Sequence, residues 1–220
     1  MIARQLLSNR LFPLKVTDTC RKALELMNEF DVAFLPVVEG DKHRGYVAAS
    51  DLLGAGAKVT VLKKTNNALV SRVYETQHLF EIITIFSEIN SSVLSVVDAD
   101  EKFIGIISAR ELVNNMASLN AFSQPGSIIT IEVPPNSYSL SEISRIVEYN
   151  NVKILSLYVN NVPENTGLMH VNIKLNSTDI KAVIATFERY GYPIVASFFR
   201  DYEADDLKSR YDLLMKFLDI

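Results

Sequence analysis

The chain of 220 residues has a single cysteine, Cys20. No internal disulfide can form, so disulfide-stapled secreted domains are excluded and the cytoplasm is the expected compartment. Long apolar runs are missing too. No stretch approaches the roughly 20 apolar residues that span a bilayer. The start, MIARQLLSNRLF, has no apolar run followed by a small-residue cleavage site, so neither a membrane partner nor a signal peptide is expected. Positive charge is in deficit, with 22 Lys and Arg against 26 Asp and Glu, and the bases are dispersed. That argues against a nucleic-acid protein held by phosphate neutralisation.

Chemistry-bearing patterns are scarce as well. His43, His78 and His170 fall in different predicted elements with no second ligand at metal spacing, so each reads as a surface or turn residue. Asp98, Asp100 and Glu101 suggest a calcium loop, but Phe103 stands where that loop needs glycine, and a hairpin turn explains them better. GAGAK at 54–58 lacks the third glycine of a dinucleotide fingerprint and the Gly-Lys-Ser/Thr of a P-loop, and reads as a linker. There is no GxSxG elbow, and Cys20 has no evident partner. These gaps point away from an enzyme and from a metal site.

What the sequence does contain is a hydrophobic fraction of 48%, enough for a sizeable core, and a phrase written twice. GYVAASDLL at 45–53 returns as GIISARELV at 105–113, and ALELMNEFDVAFLPVV at 23–38 returns as IITIFSEINSSVLSVV at 82–97. Ala23, Leu24 and Met27 match Ile82, Ile83 and Phe86, one helical face in each copy. A short apolar run, a polar turn and a second strand follow, and that strand runs into a helix with an acid in its first turn. Each unit is predicted as helix–strand–turn–strand–helix. An isolated hairpin is marginal in water, so two units sharing a core give the doubling a physical reason.

The stretch TCRKALELMNEFDVAFLPVVEGDKHRGYVAASDLL closely resembles a CBS (cystathionine-β-synthase type) domain, and residues 76–113 resemble a second, more diverged one. Two in tandem are similar to a Bateman module. The resemblance implies a regulatory module that binds adenine nucleotides or related adenosyl ligands, with AMP, ATP and S-adenosylmethionine as candidates, in clefts between the repeats. In that family the phrase runs glycine, two apolar residues, Ser or Thr, two residues, then Asp. The hydroxyl and nearby amides hold phosphate, the acid holds the ribose, and a base before the acid also meets phosphate. The first copy keeps the acid, Asp51, but has Ala48 for the hydroxyl and Ser50 for the base. The second keeps Ser108 and Arg110 and has Glu111, one methylene longer, for the acid. The second is therefore the better candidate cleft. The same residues also suit helix starts without any ligand, and both readings stay open on sequence alone.

After Met116 the stretch SLNAFSQPG reads as a linker. Then come a strand (GSIITIEVP), a helix opened by a capping box Ser139-x-x-Glu142, two strands, a helix stopped by Gly191, and a last strand (PIVASFF). Leu140, Ile143, Ile146 and Val147 face the first helix; Ile180, Val183, Ile184, Phe187 and Tyr190 face the second. The order βαββαβ predicts a ferredoxin-like antiparallel sheet with both helices on one face. It resembles an ACT domain, a regulatory fold that often binds amino acids at a dimer interface. Its first loop departs from that family's Asp-x-Pro-Gly-x-Leu, because Tyr138 takes the place of the glycine.

The expected organisation is an α+β chain. A CBS domain pair spans 1–118 (repeats at about 1–55 and 65–118) and a linker 119–126. An ACT-like domain follows at 127–200, and residues 201–220 are expected to form an amphipathic helix with Leu207, Tyr211, Leu214 and Leu218 on one stripe. A CBS pair followed by an ACT domain is similar to the bacterial acetoin-utilisation regulatory proteins. The expectation is a cytoplasmic, homodimeric sensor that acts on a protein partner or a subunit interface. A ligand-free interaction scaffold is the alternative.

Overall fold

The two glycine-led phrases occupy equivalent places in two three-stranded sheets. The computed structural model describes residues 1–56, 58–66, 72–89, 91–162 and 165–198; the expected helix at 201–220 lies outside them. The chain separates into two compact units, Met1–Ala117 and Ser118–Ile220. Among the described residues no helix is long and apolar enough to cross a membrane.

In the first unit, repeat one contains β1 (Leu14–Lys15), α1 (Cys20–Phe30), β2 (Phe34–Glu39), β3 (Lys42–Ala48) and α2 (Ala49–Leu52). Repeat two contains β4 (Arg72–Tyr74), α3 (Leu79–Glu88), β5 (Val93–Val97), β6 (Phe103–Ser108) and α4 (Ala109–Ala117). The predicted hairpins form with one shared register. Val37 pairs with Gly45 and Val96 with Gly105, and each pair is followed by a bulge. Each hairpin also gains a strand that the sequence reading lacked, β1 parallel to β2 and β4 parallel to β5. Caps fix the helices. The Thr19 hydroxyl accepts from the Lys22 amide at 3.3 Å, and α1 ends at Asp31 in the left-handed region (φ 54°). His78, expected at the surface or in a turn, caps α3 by accepting from the Phe80 amide at 3.3 Å. Cys20, Ala23 and Met27 of α1 bury against Leu35, Val37 and Val47.

The segments ahead of the repeats are exchanged. Residues 1–8 bond to repeat two, Ala3 N donating to Gln77 O at 2.9 Å and Ser8 N to Ile106 O at 2.8 Å. The segment before repeat two bonds to repeat one in the same way, Val61 N donating to Asp18 O at 2.9 Å and Asn66 N to Tyr46 O at 2.8 Å. Gly105 makes room for this. A Cβ there would lie 2.8 Å from Leu7 Cδ2, so the glycine lets the lead segment lie flat on β6. The shared core expected from the doubling is present. Leu11, Tyr46, Val93 and Ile106 pack together between the repeats, and the buried Tyr46 hydroxyl accepts from the Ser95 amide at 2.6 Å.

His43 belongs to this junction, against the expectation of a surface or turn residue. It lies in β3, edge-on to Tyr46 (5.2 Å between ring centroids) and stacked on Phe103 of repeat two (6.4 Å). Its Nε2 is buried with no hydrogen-bond partner among the described residues. Burial, aided by the Arg72 guanidinium, holds its pKa down to about 4. Arg72 itself pairs with Glu101 at 2.6 Å. The unfolded chain takes up the His43 proton near pH 6.5 and the folded chain only near 4. The His43 contribution to stability is therefore fully present above about pH 6.5 and is lost as the pH drops toward 4. Urea midpoints between pH 7 and 4.5 should fall more steeply for the native chain than for His43→Gln. Parallel curves would show that His43 carries no such coupling.

The second unit contains α5 (Asn120–Ser123), β7 (Ile128–Val133), α6 (Leu140–Tyr149), β8 (Ile154–Val162), β9 (Asn165–Leu175), α7 (Lys181–Arg189) and β10 (Ile194–Phe198). The sheet order is β10-β7-β9-β8, all neighbours antiparallel. Ile129, Ile131, Val171 and Ile173 bury against Ile143, Ile146, Val183 and Phe187 of the helices. Each such side chain removed from water contributes about 1.5–3 kcal/mol. Gly191 stops α7 with φ 78°. Two details differ from the sequence reading. Only half of the capping box forms: Ser139 Oγ accepts from Glu142 N at 3.3 Å, while the Glu142 carboxylate turns away to accept from the Tyr192 hydroxyl at 2.6 Å. Leu140 and Tyr190 are 52% and 46% exposed, because each lies beside the inward stripe of its helix.

Candidate functional site

Ser108 stands where β6 passes into α4, and its hydroxyl does two jobs. It accepts from the Glu111 amide at 3.1 Å as the helix N-cap, and it donates to Glu111 Oε2 at 2.6 Å. The other Glu111 oxygen, Oε1, accepts from the Ser8 hydroxyl at 3.1 Å. Ser8 Oγ in turn accepts from the amides of Arg10 and Leu11 at 3.2 and 3.3 Å. One carboxylate thus ties the lead segment to the start of α4.

A cavity of about 320 Å³ opens beside this knot. Ser108, Arg110 and Glu111 line it from repeat two, Ser8 and Arg10 from the lead segment, and Glu29, Phe30 and Asp31 from the end of α1. Both repeats contribute, so the cavity lies at their junction. The guanidinium groups of Arg10 and Arg110 have no carboxylate within 4 Å among the described residues, and both side chains are exposed. The first turn of α4 adds the partial positive charge of a helix N-terminus. Two cations unpaired among the described residues, three hydroxyls, three carboxylates and an aromatic ring at one cleft suit a ligand with an anionic end and a polar, ring-bearing body.

Three of the four residues singled out in the sequence come together here, and Asp51 does not. It is exposed on α2 and is not among the residues that line this cavity. The first copy is also structurally poorer. Ala48 gives α2 no side-chain cap, and the helix runs only four residues where α4 runs nine. Ser8 and Arg10 escaped the sequence reading because they come from the opposite end of the unit. A signal was present. LSNRL at 7–11 and TNNAL at 65–69 repeat ahead of the two lead strands, and Ser8 and Asn66 make the matching exchanged bonds.

In the second unit, the loop that follows β7 forms a 3-10 turn at Pro135–Ser137. Tyr138, the residue in the glycine position, packs against the hydrophobic core. Among the described residues no group of three or more His, Cys, Asp or Glu gathers closely enough to hold a metal.

Residues 3–58 and 70–118 each match the family model described as CBS domain. Solved structures align with somewhat more than half of the chain. A CBS domain pair/ACT domain protein from Thermotoga maritima is 21% identical, with a TM-score of 0.47 over 53% of this chain and 96% of that one. A protein assigned to acetoin utilization in Vibrio cholerae is 23% identical, with a TM-score of 0.49 over 57% and 98%. The CBS-pair protein CBSX2 of Arabidopsis thaliana, solved in complex with AMP, is 23% identical, with a TM-score of 0.47 over 54% and 98%.

Proposed function

We propose that the CBS domain pair formed by the first unit is the sensor of a regulatory protein, and that the cavity between Arg10, Ser108 and Arg110 receives an adenosine nucleotide or related adenosyl ligand. The single observation that carries this reading is the meeting of two unpaired guanidiniums with the start of α4 in a cleft built by both repeats. Phosphate faces Arg10 and Arg110, where charge-assisted hydrogen bonds are short and strong. Because the cleft is shared, a bound ligand favours one arrangement of the repeats over others. The ACT-like second unit then passes that bias to a subunit interface or protein partner. Tyr138, packed inward, supports a transmitting role for it over amino-acid binding. A homodimer fits the open face of its sheet, where Tyr158 and Phe198 are 62% and 60% exposed.

One observation favours the alternative of a ligand-free scaffold: Glu111 already satisfies the hydroxyls of Ser8 and Ser108. Thermal unfolding with adenosine, AMP, ADP, ATP and S-adenosylmethionine separates the two. A ligand at 100 times its Kd that binds only the folded state adds about 2.7 kcal/mol, a rise of several degrees in Tm. Unchanged melting with all five would favour the scaffold.

A further inference from the structure

Resting on that nucleotide reading, we infer that Glu111 is a built-in anion that makes the cleft prefer a nucleoside with at most one phosphate over a polyphosphate. Its carboxylate sits at the start of α4, where hydroxyls and first-turn amides would otherwise receive an anion from outside. Both oxygens are engaged, Oε1 by Ser8 and Oε2 by Ser108, and its own amide bonds back to Ser108 Oγ. The helix N-terminus stabilises a negative charge held there, so Glu111 is a resident of the site and not a passing contact.

The charges around the cavity then decide what else it accepts. Glu29, Asp31 and Glu111 face Arg10 and Arg110, which leaves one net negative charge. One phosphate can be met by the two free guanidiniums. Each further phosphate adds negative charge, and no third cation lines the cavity among the described residues. A neutral nucleoside or a cationic sulfonium escapes that repulsion. Two like charges about 6 Å apart repel even at the dielectric of water by enough to change affinity about threefold, and by more where solvent is excluded.

The test is calorimetric titration of the full chain with AMP and ATP in magnesium-free buffer, so that metal does not mask phosphate charge. The native chain is expected to bind AMP about tenfold or more tightly than ATP. In Glu111→Gln, whose amide oxygen still accepts a hydroxyl, that ratio narrows at least about threefold. Glu29→Gln removes an exposed charge that takes no part in the hydroxyl contacts. It should narrow the ratio less, and it keeps the question open to measurement if Glu111→Gln folds poorly. Equal or tighter binding of ATP by the native chain, or a ratio unmoved in both variants, overturns the inference while leaving the nucleotide reading intact. Failure of AMP, ATP and adenosine alike to bind the native chain overturns the nucleotide reading and this inference with it.

Discussion

Replacing Arg10 and Arg110 together with alanine is expected to weaken AMP binding about a hundredfold. Each guanidinium is free of internal carboxylates among the described residues and lines the cavity at the helix start. A hydrogen bond to a charged group contributes about 1.5–3 kcal/mol, and 1.4 kcal/mol is tenfold in Kd. Each single variant should thus lose about tenfold or more, and the pair about the product if they act independently. Both side chains are exposed, so stability should stay within about 0.5 kcal/mol of the native chain. Asp51→Ala, away from the cavity, should change affinity little. If Asp51→Ala alone abolished binding while the double arginine variant bound normally, the working site would be the first copy.

Gly126→Ala is expected to destabilise the second unit strongly. A Cβ at Gly126 would lie 1.9 Å from the Leu175 carbonyl oxygen and 3.0 Å from its carbon, with φ at +152°. Leu175 closes β9, and its amide donates to Ser127 O at 2.8 Å, so neither side of the clash can yield without opening the sheet. Overpacking and backbone strain each cost about 1–3 kcal/mol, which puts the expected loss at about 3 kcal/mol or more. Gly40→Ala provides the control. Gly40 also has positive φ, +63°, but no heavy atom within 4 Å of the added carbon, so only the conformational cost of about 1 kcal/mol applies. Urea unfolding of the two variants, with amide exchange followed in β9, checks the difference. Equal losses would mean that the Leu175 contact is relieved by an easy shift.

The parts of the fold that were legible in the sequence were those written in local periodicity. The spacing of Ala23, Leu24 and Met27 marked α1, the paired valines marked β2 and β5, and Gly191 marked the end of α7. What stayed hidden was short or distant. β1 and β4 have two and three residues, too few to show alternation. The exchange of lead segments depends on bonds such as Ser8 to Ile106, which no local pattern reveals. The site divides along the same line. Ser108, Arg110 and Glu111 sit within one phrase and were readable together. Ser8 reaches Glu111 across 103 positions. His43 looked like a turn residue within EGDKHRG because the ring that covers it, Phe103, belongs to the other repeat. Glu142 looked like the second half of a capping box because its actual partner, Tyr192, is 50 positions away.

An adenosine ligand is proposed to bind the cleft of the second phrase. Hydrogen–deuterium exchange with and without saturating AMP tests it most directly, because it locates the ligand without altering a residue. Added protection is expected at residues 8–11, 29–32 and 108–112 together, since these three segments line one cavity. Protection confined to residues 47–52 or to the second unit, or no change anywhere, would contradict it.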